Sequence, residues 1–150
     1  MNKTIAIACD HGALNLKSKI MKHLDDIGVK YINFGTDTTD SVHYPIYADK
    51  VCNSVTSGES DLGILLCSTG IGMSIAANKH KGIRAACCSD TYSARLTRQH
   101  NNANVLCMGE FVVGHGLACD MVDQFIGAEF ENSGRHLLRV EMLNELDENR

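Results

Sequence analysis

The chain has 150 residues, a formal net charge of −4 and 44% hydrophobic residues, which suits one domain with its own core and argues against a general nucleic-acid binder, normally basic. No apolar run reaches the length of a membrane span, and Asp10 interrupts the apolar start too early for a secretory signal. The seven cysteines are odd in number and irregularly spaced, a reduced, cytoplasmic pattern rather than a disulfide framework.

Residues 4–9 form a first apolar run, with Asp10-His11-Gly12 at its end. The spacing of Leu16, Ile20, Leu24 and Ile27 predicts a helix over 13–27, stopped by Gly28. A strand over 29–34 ends at Gly35, and a polar loop leads to a helix over 47–55 with Pro45 at its start. Residues 62–66 make an apolar run, suited to a strand buried on both faces. Cys67 follows, then a turn over 68–72 and a helix over 73–78. Strand 83–88 leads to Asp90, a capping residue for a helix over 91–99. His100, Asn101 and Asn102 close that helix. Strand 104–108, helix 113–126 and a last helix from 135 to about 146 complete the chain, with a polar tail. Strands alternating with helices predict an α/β chain, a single domain over 1–150. Its architecture is an α/β/α sandwich around a five-stranded, mainly parallel sheet.

Open α/β sheets place their ligand crevices at the carboxyl ends of the strands. Cys67 stands there, ahead of a glycine turn whose N–H groups suit an anion. A thiol beside a helix N-terminus ionises more readily, making a candidate base or nucleophile, although a cysteine closing an apolar run is more often a small core residue. Asp10, His11, Ser68, Thr69, Asp90 and the His100 loop are expected at the same edge. Asp10 and His11 suit helix capping equally well. Arg135 and Arg139 share a helix face and suit a phosphate, with pairing to Glu131 or Glu141 as the plainer reading. The absence of C-x-x-C and H-E-x-x-H speaks against a structural zinc site. Gly70-Ile-Gly72 offers two glycines of a dinucleotide fingerprint, but Ile75 fills the third position. A nucleotide-binding module without chemistry is therefore the distant alternative.

The blocks Cys9-Asp10-His11-Gly12, Tyr44-Pro45, Gly63 to Lys79, Gly82 to Ala86, Tyr92 to Arg95, Arg98 to Asn101 and Gly134 to Val140 fall in one order. That order, over nearly the whole chain, resembles the type B ribose-5-phosphate isomerases. The wider family includes allose-6-phosphate and galactose-6-phosphate isomerases. The resemblance implies a Rossmann-like fold and an aldose–ketose isomerase of the pentose phosphate pathway, working through a cis-enediol with no metal and no cofactor. It implies Cys67 as the base between C1 and C2, with the N–H groups of Ser68, Gly70, Ile71 and Gly72 on the enediolate oxygen. Thr69 and His100 would open the furanose ring. Asp10, His11 and Asn101 would bind the sugar, and Arg135 and Arg139 the phosphate. The partners implied are a small sugar phosphate and a second copy of the chain, in a homodimer or dimer of dimers whose site is shared between subunits, with neither nucleic acid nor membrane. Galactose-6-phosphate isomerase divides the cysteine and histidine between different chains; here one chain holds both, which fits a homo-oligomer. The family pattern Gly-x-Arg-Val-Val-Gly stands here as Gly109-Glu110-Phe111-Val112-Val113-Gly114. Phe111 replaces a phosphate-contacting arginine, which leaves allose 6-phosphate or galactose 6-phosphate as alternative substrates.

Overall fold

Five short strands form one sheet in the computed structural model, which describes residues 2–149. In chain order the elements are β1 (Thr4–Cys9), α1 (Leu14–Asp26), β2 (Lys30–Asn33), α2 (Tyr44–Thr56), β3 (Leu62–Cys67), α3 (Ile71–Ala77), β4 (Ala85–Cys87), α4 (Thr91–Asn101), β5 (Val105–Gly109), α5 (His115–Gly127) and α6 (Gly134–Glu148). The strand order is β2-β1-β3-β5-β4. Every pairing is parallel, so the sheet is wholly rather than mainly parallel. The polar tail is helical as far as Glu148.

Alternation along the strands divides the core into two layers. Ile5, Ile7, Ile64, Leu66, Leu106 and Met108 face a layer with Leu16, Ile20 and Leu24 of α1 and Met121, Val122 and Phe125 of α5. Ala6, Ala8, Leu65, Cys67, Val105 and Cys107 face the other, with Ala48 and Val51 of α2 and Met73 and Ala77 of α3. This is a Rossmann-like α/β/α sandwich. From β1 the chain steps outward to β2, then crosses back over β1 to β3. The strand order therefore reverses between β1 and β3, and a crevice opens at their carboxyl ends.

Among the described residues three charged side chains are buried, Asp10, Lys17 and Arg98, and Lys17 is the deepest. Lys17 lies on α1 and is 2% exposed. Its Nζ donates to the Asn33 side chain at 3.0 Å, the Thr36 carbonyl at 2.5 Å and Asp37 at 2.6 Å. These bonds tie the β2–α2 loop to α1, while Thr36 N–H donates to the Cys9 carbonyl at 2.7 Å. The Lys17 ammonium and then the Asn33 amide hold the Asp37 carboxyl below the usual range. A carboxyl so lowered in the folded state stabilises it above the unfolded value and loses that contribution as pH falls through the folded one. Lys17→Met should remove about 2 kcal/mol of stability, about 4–8 °C in Tm for a chain of this size. Its Tm should also fall less steeply with acidification than that of the parent. A variant with unchanged Tm and the same acid sensitivity would refute the role given to Lys17.

Candidate active site

The crevice is walled by the ends of β1 and β3. Asp10 N–H donates to the Leu66 carbonyl at 3.1 Å, joining the two strand ends. The Asp10 carboxylate, 8% exposed, accepts the Gly12 N–H at 2.9 Å, so it also serves the local turn. His11 is exposed, and its Nδ1 accepts the Val42 N–H at 3.1 Å. That bond leaves Nε2 as the protonated, donating nitrogen of a neutral ring.

Cys67 ends β3 and is 5% exposed. Its side chain falls on the α2/α3 side by strand alternation. The Gly70 N–H donates to Cys67 Sγ at 3.1 Å and fixes the sulfur over the glycine turn. Gly70 has φ of 80° and meets the Met108 backbone where a Cβ would stand, so only glycine suits this turn. α3 starts directly after it, two residues before the apolar pattern suggested. The Thr69 hydroxyl accepts the Ile71 N–H at 3.2 Å. The Tyr44 ring lies against Gly72. Pro45 sits in the first turn of α2, so that helix begins at Tyr44, three residues earlier than expected, and carries the ring to the glycine turn.

Burial pushes the thiols of Cys9 and Cys88 up to about 11 and Cys52 to about 12, and raises Cys107 strongly. Those cysteines are core residues. All seven cysteines are free thiols.

The His100 loop does not belong to this edge, contrary to the expectation from sequence. α4 descends antiparallel to β4, so its last turn, with His100 and Asn101, lands at the amino ends of the strands. Asn104 N–H there donates to the Arg84 carbonyl before β4, and the Asn104 carbonyl accepts the Gly63 N–H at the start of β3. A six-residue strand is about 20 Å long, so His100 and Cys67 of one chain stand at opposite ends of the sheet. Arg135 and Arg139 lie with His100, because α5 also descends and α6 starts at that end. Both arginines are exposed. Glu131 lies beside the two histidines, with its oxygens 3.8 Å from His100 Nε2 and 3.4 Å from His136 Nε2. Asn101 lines a different cleft of about 330 Å³, together with Arg84, Leu143 and Asp147.

Two features were not visible in the sequence, the Glu110 cap and the cleft beside it. Glu110, at the end of β5, accepts the Leu16 N–H at 2.7 Å and caps α1 from 94 residues away. It also lies 3.2 Å from His115 Nε2. A cleft of about 290 Å³ opens between His11, Asn15, Thr39, Glu110 and Phe111. Phe111 itself is 81% exposed at its rim. Asp90 accepts the Ser93 N–H at 2.7 Å and so caps α4, which engages the carboxylate that the nucleotide-binding reading would need for a ribose. Among the described residues, His100, Glu131 and His136 alone group as potential metal ligands. The two rings are parallel within 8°, so their lone pairs run side by side instead of converging on an ion. Among the described residues no helix is long and apolar enough to cross a membrane.

Comparison with known proteins adds four findings. Residues 5–143 match the family model for ribose/galactose isomerase. The chain is 49% identical over 148 residues to ribose-5-phosphate isomerase B of Escherichia coli, covering 99% of both chains. It is 39% identical over 145 residues to a galactose-6-phosphate isomerase subunit of Clostridium acetobutylicum, covering 97% of this chain and 84% of that one. Among solved structures, the ribose-5-phosphate isomerase B of Clostridium thermocellum superposes with a TM-score of 0.94 at 49% identity, covering 97% of this chain and 98% of that one.

Proposed function

The chain belongs to the ribose/galactose isomerase family and is a sugar-phosphate isomerase; from that premise we propose that it interconverts ribose 5-phosphate and ribulose 5-phosphate through a cis-enediol intermediate. The observation that carries this reading is Cys67, fixed over the glycine turn at the point where the strand order reverses. The Cys67 thiolate takes the proton from C2 of the open-chain aldose. The electron pair forms the C1–C2 double bond, and O1 becomes an enediolate oxygen held by N–H groups of residues 68–72. Return of the proton to C1, with loss of the O2 proton, gives the ketose. Atoms balance without an external oxidant. Thr69 and His100 serve ring opening, Asp10, His11 and Asn101 hold hydroxyls, and Arg135 and Arg139 hold the phosphate.

These groups meet only if the His100 end of one molecule reaches the Cys67 end of another. The active form is therefore a homo-oligomer, a dimer or a dimer of dimers, with each site shared. Exposed apolar residues support that reading: Ile71 and Ile75 on α3, and Leu138, Met142 and Leu146 on α6. An assay of ribulose 5-phosphate formation tests the function. Turnover of ribose 5-phosphate with a higher kcat/KM than allose 6-phosphate or galactose 6-phosphate is expected. The reverse preference would move the substrate to a hexose phosphate. Nucleotide binding with no turnover of any sugar phosphate would leave a binding module.

Phe111 offers a second test. A charge-assisted hydrogen bond contributes about 1.5–3 kcal/mol, so a guanidinium restored at this position should matter if the rim reaches the phosphate. Phe111→Arg should lower KM for ribose 5-phosphate and allose 6-phosphate together, by about tenfold or more. A change in the kcat/KM ratio between the two sugars would instead make Phe111 a selector of sugar. No change in either would place Phe111 outside the phosphate's reach.

A further inference from the structure

The His100 end of the molecule contains a pair of histidines that the proposed reaction uses only in part. His100 closes α4, and His136 lies in the first turn of α6. Their ring centroids are 4.1 Å apart and the rings are parallel within 8°. Glu131 stands at the edge of both rings, 3.8 Å from one Nε2 and 3.4 Å from the other. The Glu131 N–H donates to the Gln99 carbonyl at 2.8 Å, which binds the connecting segment to the last turn of α4. The stack is therefore fixed from both helices and from the chain between them.

His136 sits at a helix N-terminus, where the helix dipole disfavours a cation. The charged groups acting on His136 are His100 of α4, Glu131 of the connecting segment, and Arg135 and Arg139 of its own helix. Burial first, then the facing His100, with Arg135 and Arg139 adding to them, hold its imidazole below the ordinary value against the pull of Glu131.

We infer that His136 is a positioning residue for His100: the stack on His136 fixes the plane of the His100 ring, so that His100 meets the sugar in a single orientation. This rests on the reading of His100 as the ring-opening group. His136 acts through His100 and transfers no proton itself.

Two measurements test it separately. In the resting protein, the His136 ring resonance is followed by NMR against pH. His100→Asn removes the facing imidazole, so His136 should titrate higher by roughly half a pH unit or more. An unmoved titration would overturn the coupling, whatever reaction the enzyme performs. In turnover of ribose 5-phosphate, His136→Ala should lower kcat about tenfold with KM within about twofold. His136→Phe keeps a flat ring against His100 and should restore kcat to within about threefold of the parent. A raised KM with unchanged kcat in both variants would mean that His136 touches the substrate directly, and the positioning role would fall. A coupled titration in a protein with no isomerase activity would instead refute the function proposed above and leave the stack standing.

Discussion

Cys67→Ser should lower kcat by about two orders of magnitude or more while leaving substrate binding nearly intact. The substitution keeps the side chain's shape, and the Gly70 N–H that meets Sγ at 3.1 Å has an oxygen to meet instead. What changes is the chemistry of the group. An alcohol loses its proton far less readily than a thiol, and proton abstraction from carbon needs a base that is present near the working pH. KM should stay near the parent value, because hydroxyl and phosphate contacts are left in place. Cys52→Ser is the contrasting variant. Cys52 is fully buried beside α3, its thiol pushed up to about 12, so its replacement should act on Tm and not on kcat. A serine at position 67 that turned over normally would remove Cys67 from the reaction.

The parts of the fold that follow from local pattern were legible. The apolar runs at 4–9, 62–66 and 104–108 became β1, β3 and β5, because a strand buried on both faces needs apolar residues at every position. Asp90 capped α4 as its side chain requires. Strand β4 is shorter than the apolar run and starts at Ala85, because the Arg84 N–H before it goes to the Asn104 side chain at 2.8 Å. Lys17 could not be read as buried, since a lysine on a helix normally reaches water; only the folded β2–α2 loop supplies its three acceptors. Glu110 was equally hidden, because a cap supplied across 94 residues leaves no local spacing to detect.

The misplacement of His100 has a different origin. Polar residues near helix and strand ends look alike in sequence, whichever edge of the sheet they reach. Helix direction separates them: residues after a strand lie at its carboxyl edge, and residues after the crossover helix lie at its amino edge. Cys67 follows a strand, and His100 and Arg135 follow helices. That rule was available from the order of elements alone. It divides the proposed site residues into two groups, which is why the reading requires two copies of the chain.

Gly109→Ala should be nearly as damaging as loss of the sulfur, through position alone. Gly109 ends β5, beside Cys67 in the ladder. A Cβ there would stand 2.6 Å from the Thr69 carbonyl carbon, 2.7 Å from Thr69 Cα and 2.8 Å from the Ser68 oxygen. All three are backbone atoms, so no side chain can swing aside. Either β5 or the glycine turn must move. The turn is held by Phe111 N–H donating to the Ser68 carbonyl at 3.1 Å and Glu110 N–H to the Cys67 carbonyl at 2.9 Å, so displacement would carry residues 67–70 with it. Overpacking of this kind costs about 1–3 kcal/mol, and a shift of about 1 Å in a reacting group can cost about a hundredfold in rate. The expected result is a folded protein with Tm lowered by several degrees and kcat reduced by about a hundredfold. Gly114→Ala is the control, because nothing stands within 4 Å of a Cβ at that position, and it should leave both quantities near the parent values. If Gly109→Ala kept its rate and lost only stability, the placement of Cys67 would tolerate movement of the turn, and the case for a rigid Cys67–Gly70 unit would fail.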